Sequence, residues 1–275
     1  MRSPEGLARR VFTAAALLGA FLATLLLLDS RVFATLLGAV LGLAAHEWAR
    51  LAGFGQRAAI AWALGSAALY GLLAWNLPPS GAARDTVLGL GVVFWLLVAP
   101  SWLRAGVTRS PRFLLAVAGS GALAIAGLAA VSLSPAQLLL VLGLVWIADT
   151  AAYFAGNAFG RRRLAPTISP GKTWEGAAGA LAATLAYAIL CAMPGAPLAP
   201  YVHGAAWAGY VGAVALLCGV SIVGDLFESA LKRRAGVKDS GTLLPGHGGI
   251  LDRVDSLMPT LPIAALLLHW ATRSA

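Results

Sequence analysis

Long apolar runs separated by short polar breaks fill almost the whole of this 275-residue chain. They lie near residues 11–28, 32–49, 58–77, 86–103, 113–132, 137–157, 174–193, 205–228 and 257–271. Most are close to the roughly 20 residues that a helix needs to cross the hydrocarbon core of a bilayer. Little more than Asp29, Ser30 and Arg31 separates the first two runs, and the last run is short. The pattern therefore predicts about nine transmembrane helices, with eight as the alternative.

Composition supports the same fold class. Hydrophobic residues make up 59% of the chain and charged residues only 11%, which is more apolar than a soluble domain of this size can bury. The runs are joined by short loops, and no long linker divides the chain. We expect an all-α, polytopic integral membrane protein that forms a single membrane unit.

The basic residues predict the orientation of the helices. With nine spans and the N-terminus inside, only Arg31, Arg84 and Arg273 of the 20 Lys and Arg residues fall on the outer side. This bias follows the positive-inside rule. The formal net charge of +9 is therefore explained by topology. Membrane lipids with anionic headgroups, and not nucleic acid, are the expected partner.

Acidic residues divide the chain into two regions. Residues 1–140 hold few of them and are predicted to form an N-terminal transmembrane scaffold, whereas residues 141–275 hold seven and are predicted to form the catalytic region. Within the scaffold, the adjacent His46 and Glu47 near the cytoplasmic end of the second span are interpreted as a snorkelled or interfacial pair.

Two polar clusters precede the last part of the chain. Asp149, Tyr153 and Asn157 are spaced to form one stripe on a helix, which predicts either a polar cavity or a hydrogen bond between helices. Ser169 and Lys172 lie in a Ser-Pro-Gly-Lys-Thr segment that is interpreted as the start of a helix. This segment fits either a phosphate site or an ordinary capped helix.

The third cluster is the strongest functional signal. Asp225 lies near the cytoplasmic end of an apolar span, where an uncompensated carboxylate is costly. Asp252 and Asp255 approach from the start of the last span, and carboxylates that converge from two helices suit Mg²⁺. Lys232–Arg234 and Lys238 supply positive charge for a polyanion. The Pro-Gly-His-Gly-Gly turn at 245–249 can bend closely around phosphate oxygens.

The third cluster also resembles the signature of the phosphatidate cytidylyltransferases, also called CDP-diacylglycerol synthases. The similarity extends over roughly residues 141–260, with one departure at Gly171, where a basic residue is expected. The positions that match the signature are Ser229, Leu231, Lys232, Arg233, Lys238, Asp239, Gly241, Leu244, Pro245, His247, Gly248, Gly249, Ile250, Asp252, Arg253, Val254 and Asp255.

The resemblance implies the reaction of CTP with phosphatidate to give CDP-diacylglycerol and pyrophosphate for phospholipid biosynthesis. The implied roles follow the motif. Asp225 and Asp252 bind Mg²⁺, and Asp255 is a third ligand or binds a second, monovalent cation. The residues implied to bind substrate or shape its site are Ser169, Lys172, Ser229, Lys232, Arg233, Lys238, Asp239, His247, Gly248, Gly249, Arg253 and Asp149.

The resemblance further implies a homodimer in a bacterial-type inner membrane, with the active site facing the cytoplasm, where CTP is found. The alternative function is a cation-coupled membrane transporter that uses Asp149, Asp225 and Asp252 as its ion path. Transporter sites usually lie at the bilayer midplane on broken helices, whereas these acids are predicted at the cytoplasmic ends of their spans.

Overall fold

The computed structural model describes residues 4–244 and 248–274, with side chains from residue 15 onward except those of residues 17 and 274. Within this part the chain is mostly helical. The helices are α1 (Pro4–Leu27), α2 (Ser30–Leu51), α3 (Gln56–Asn76), α4 (Ala82–Val93), α5 (Ala99–Ala105), α6 (Arg112–Ser132), α7 (Pro135–Phe159), α8 (Trp174–Ala192), α9 (Ala206–Ala235), α10 (Leu251–Val254) and α11 (Leu257–Ser274).

The predicted all-α, polytopic membrane fold is confirmed. Each predicted apolar run coincides with a helix, and in the described part of the chain eight helices are long and apolar enough to cross a membrane. One of these spans, Ala82–Ala105, joins α4 to α5 through a π-helical segment, Phe94–Val98. Pro100, two residues after this segment, cannot donate a backbone hydrogen bond, which favours the local widening. The first predicted span forms α1. Since the side chains of α1 are described only from residue 15 onward, whether α1 crosses the membrane stays a prediction.

The segment between α7 and α8 corrects one prediction. Ser169 and Lys172 do not lie in the first turn of a helix but on a strand, β2 (Ser169–Thr173), which pairs antiparallel with β1 (Arg163–Ala165). Helix α8 starts at Trp174, directly after the strand. Thr173 caps this helix, because its hydroxyl accepts a hydrogen bond from the backbone N–H of Gly176. The hairpin thereby presents Lys172 from extended backbone.

Helix α6 lies at the centre of the bundle and packs against α2, α3, α4 and α11. Small residues on α6 let these helices approach closely. At Gly119, an added Cβ would run into the indole ring of Trp48, which is 1% exposed and donates a hydrogen bond to the carbonyl of Leu115 at 2.8 Å. The ring is therefore held in place and has no room to move.

An aromatic cluster fixes α9 to the first half of the chain. Phe227, which is fully buried, stacks on Trp48 of α2 with ring centroids 5.9 Å apart. It also contacts Trp95 of the π-helical segment and Trp102 of α5, edge to face. Because Phe227 points into this cluster, the neighbouring polar residues of α9 are set at a defined depth.

The opposite end of the bundle has its own polar contacts. The guanidinium of Arg84 is 2% exposed and donates to the carbonyls of Leu77 and Leu128. Asp85 forms an ion pair with Arg273 at 2.8 Å and lies 3.1 Å from His269. The Asp85 contacts tie the start of α4 to the end of α11, and the Arg84 contacts tie it to α6 and to the end of α3.

We expect Gly119→Ala to lower the stability of the protein by about 1–3 kcal/mol, since the added methyl group overpacks the site against Trp48. Gly121→Ala is the matched control, because it changes the same helix and its added methyl meets nothing within 4 Å. Thermal unfolding in detergent measures both variants. Equal melting temperatures would show that the close approach at Gly119 does not constrain the bundle.

Candidate active site

A cavity of about 880 Å³ lies between α7, α8, α9, the β1–β2 hairpin and the start of α10 and α11. This volume suits a ligand of the size of a nucleotide. Most of the predicted site residues line the cavity, including those from all three polar clusters. The predicted residues found there are Asp149, Ser169, Lys172, Asp225, Ser229, Lys232, Arg233, Lys238, Asp239, Asp252, Arg253 and Asp255.

The hairpin forms one wall of this cavity. The carboxylate of Glu175 accepts hydrogen bonds from the backbone N–H groups of Arg161 and Arg162, which hold the start of the hairpin against α8. Arg233 of α9 donates through Nε to the carbonyl of Ile168 at 3.0 Å and fixes the other end. Lys172 is thereby directed at α9, where its ammonium forms an ion pair with Asp225.

Three carboxylates converge beside the cavity: Asp225 and Asp255 line it, and Glu228 is fully buried next to them. Oxygens of Asp225, Glu228 and Asp255 all lie within 4.8 Å of one another. Glu228 is fully buried, and its Oε1 atom has no hydrogen-bond partner. An unpartnered, buried carboxylate oxygen among other carboxylates is costly unless a cation binds there. This donor set fits a hard divalent cation such as Mg²⁺.

Lys232 connects this group to the next helix. Its ammonium lies 2.5 Å from Glu228 Oε2 and 2.7 Å from Asp252 Oδ1. The side chains of Lys232, Glu228 and Asp252 are 14%, 0% and 9% exposed. One cation therefore compensates two buried carboxylates that belong to different helices.

Asp252 occupies a different environment from the one predicted for a metal ligand. Its Oδ2 accepts hydrogen bonds from the backbone N–H groups of Ser240 and Gly249 and from the Ser240 hydroxyl, all at 2.8–2.9 Å. Its Oδ1 is taken by Lys232. The third carboxylate beside Asp225 and Asp255 is therefore Glu228, although the roles of these residues in metal binding stay predictions.

The polar stripe on α7 faces the same cavity. Asp149, Tyr153 and Asn157 all line it, as the cavity interpretation of their spacing required. The other interpretation, a hydrogen bond between helices, also applies in part, because the Ser256 hydroxyl at the start of α11 donates to Asp149 Oδ1 at 3.4 Å. Asp149 thus joins α7 to α11 at the edge of the cavity.

The predicted glycine-rich turn is described only in part. Gly248 has a φ of +80°, and an added Cβ would come within 2.7 Å of Asp252 Oδ2, so only glycine fits this position. Gly249 donates its N–H to the same oxygen. His247 lies outside the described residues.

Besides Glu228, two contributors to the site were missed or misjudged from the sequence. Glu47 was interpreted as an interfacial residue, but it is 3% exposed and accepts hydrogen bonds from Ser240, Ile250 and Leu251. Ser240, which matched no specified position of the signature, lies between Glu47 and Asp252. The sequence did contain a signal for Glu47, since it is the single acidic residue within the second apolar run.

The chain resembles known proteins over nearly its full length. It matches the Cytidylyltransferase family over residues 8–271. It is 41% identical to the phosphatidate cytidylyltransferase of Pseudomonas aeruginosa, over 96% of this chain and 97% of that protein. It is 44% identical to the phosphatidate cytidylyltransferase of Haemophilus influenzae over 46% of this chain and 43% of that protein. It is also 44% identical to the Bacillus subtilis protein of the same name, over 45% and 44% of the two chains.

We expect Lys232→Met to destabilise the protein by about 3 kcal/mol or more, because it leaves Glu228 and Asp252 buried without their shared cation. Lys238→Met is the control, since Lys238 lines the same cavity but is exposed. Thermal unfolding in detergent without divalent cations measures both changes. If the two variants unfold at the same temperature, the buried ion pairs contribute little to the fold.

Proposed function

The chain belongs to the Cytidylyltransferase family and is a membrane nucleotidyltransferase, and on that premise we propose that it transfers the cytidylyl group of CTP to phosphatidate. The products are CDP-diacylglycerol and pyrophosphate. The observation that carries this proposal is the meeting of acidic and basic side chains in one cavity of nucleotide size, at the ends of apolar helices. This is the combination that two anionic substrates require, one of which lies in a membrane.

The reaction joins a phosphate monoester to the α-phosphorus of a nucleoside triphosphate. The nucleophile is already largely ionised near neutral pH, because the second pKa of a phosphate monoester is about 6. The protein therefore has little proton transfer to perform. Its work is to neutralise charge and to hold the attacking and leaving oxygens in line.

The acidic group gives the cavity its place for a cation. Asp225, Glu228 and Asp255 would hold Mg²⁺, which when bound supplies charge neutralisation for phosphate oxygens. The buried, unpartnered oxygen of Glu228 supports this assignment. Asp252 contributes through its ion pair with Lys232, which it holds towards the cavity.

The basic residues surround this acidic group. Lys232 and Lys238 line the cavity from α9 and the segment that follows it, and Lys172 approaches from the hairpin. Lysine ammonium groups bind phosphate oxygens as compact charges. We assign Lys232 and Lys238 to the phosphates of CTP, and Lys172 with Ser169 to the phosphate of the lipid or to the departing pyrophosphate.

The position of the cavity fits a site at the inner face of a bacterial cytoplasmic membrane. The positive-inside bias of the sequence supports this orientation, and CTP is available on that side. The homodimer and the second, monovalent cation stay predictions. The carboxylates lie towards the C-terminal end of α9 and at the start of α10, an arrangement that favours chemistry at the membrane surface over a transport path through its middle.

We expect detergent-purified protein to release pyrophosphate from CTP only when both phosphatidate and Mg²⁺ are present. Asp225→Asn and Asp255→Asn should each lower kcat/KM at least a hundredfold, which is about 2.7 kcal/mol of barrier. They should also raise the Mg²⁺ concentration needed for half-maximal rate. Asp252→Asn should lower the rate with little change in that Mg²⁺ concentration, because Asp252 acts through Lys232.

Asp85→Asn is the control for the loss of an ion-paired acid, since Asp85 lies at the opposite end of the bundle. It should retain nearly the wild-type rate. Folded wild-type protein that releases no pyrophosphate with any cytidine nucleotide or phosphatidate would contradict the proposed reaction. Full turnover without a divalent cation would contradict the metal site.

A further inference from the structure

Glu47 is a buried acid that the proposed reaction does not use directly. It lies near the C-terminal end of α2 and is 3% exposed. Its carboxylate accepts hydrogen bonds from the N–H of Leu251 at 2.8 Å and the N–H of Ile250 at 3.2 Å, and it lies 3.0 Å from the hydroxyl of Ser240, whose single proton it shares with Asp252. The backbone groups belong to residues more than 200 positions away in the sequence. A buried carboxylate with these donors is well satisfied, and it makes removal of any donor costly.

The segment around Glu47 is shaped to receive its side chain. An added Cβ at Gly241 or at Gly249 would collide with the carboxylate. Both positions therefore need glycine for close approach and not for an unusual backbone angle, since neither has a positive φ. The backbone on each side of the glycine-rich turn is thus packed directly against a residue of the first half of the chain.

Glu47 and Asp252 share the donors of this segment. Three successive backbone N–H groups are divided between them: that of Gly249 goes to Asp252, and those of Ile250 and Leu251 go to Glu47. The hydroxyl of Ser240 lies 3.0 Å from Glu47 Oε2 and 2.9 Å from Asp252 Oδ2. A displacement of Glu47 therefore changes the donors available to Asp252.

We propose that Glu47 is a positioning residue for cytidylyl transfer. Its carboxylate fixes Ser240 and residues 249–251, these groups orient Asp252, and Asp252 holds the ammonium of Lys232 in the cavity. Glu47 itself does not touch either substrate. The inference rests on the proposed function, and it extends the site to a helix of the predicted scaffold.

The first test is Glu47→Gln, which keeps the shape of the side chain but replaces one acceptor oxygen by an amide group that faces an N–H donor. We expect kcat to fall at least about tenfold, the usual minimum for loss of an outer hydrogen-bond partner in a catalytic site. The KM for phosphatidate should change less than about twofold. Rates are expressed per folded molecule, and the melting temperature is measured in the same detergent.

Ser240→Ala is the second variant, since it keeps both backbone hydrogen bonds to Glu47 and remains informative if Glu47→Gln folds poorly. We expect it to lower kcat as well. In the double variant, kcat should fall by a smaller factor than the two single-variant factors multiplied together, because both residues act through Asp252. Ser66→Ala is the matched control, as Ser66 is a buried serine of α3 whose hydroxyl pairs with that of Ser120 at 2.7 Å.

The outcomes separate this inference from the proposed function. If wild-type protein turns over and Glu47→Gln has the same kcat per folded molecule, with only a lower melting temperature, then Glu47 is merely structural and the inference is wrong. If wild-type protein shows no turnover, the proposed function fails, and amide hydrogen exchange tests the part of the inference that is independent of it, namely that Glu47 positions Ile250 and Leu251. Slow exchange at Ile250 and Leu251 that Glu47→Gln accelerates at least tenfold, and Asp85→Asn does not, would support the positioning role. Unchanged exchange would overturn it.

Discussion

The ammonium of Lys232, held between Glu228 and Asp252, is the contact on which the arrangement of the site depends. Carboxylates at these depths in an apolar bundle need positive charge or several hydrogen-bond donors. Glu228 belongs to α9 and Asp252 to α10, so one lysine fixes the relative position of two successive helices across the loop of residues 236–250. The cavity, the converging carboxylates and the glycine-rich turn all lie around this contact.

Packing supports the charge arrangement from the other side of α9. Phe227, adjacent to Glu228, is enclosed by Trp48, Trp95 and Trp102. Aromatic contacts of this kind fix both depth and rotation of a helix. As a result, the polar face of α9 is directed at the cavity while its apolar face is anchored in helices of the first half. Contacts therefore cross the predicted division at residue 140, since Glu47 and Trp48 of the first region both pack against residues of the site region.

The sequence was sufficient for the helices and for most of the cavity, because hydropathy and charge act locally along the chain. It was not sufficient for the hairpin, where Ser169 to Thr173 pair with a strand instead of opening α8. It also missed Glu47, since the value of that residue comes from donors more than 200 positions away. Glu228 was visible on the polar face of α9, but only the folded arrangement shows its oxygens beside those of Asp225 and Asp255.

The long separation between Glu47 and its partners has a consequence for biogenesis. A membrane protein inserts its helices in the order of synthesis, and α2 emerges long before α10 and α11. Until the final segment reaches the bilayer, Glu47 lacks the two backbone N–H groups that satisfy it, and Lys232 lacks Asp252. The nascent protein must therefore carry these polar groups exposed to water or to the insertion machinery. Assembly of the site therefore supplies hydrogen-bond and ion-pair partners to groups that would be costly to leave unpaired inside the bundle.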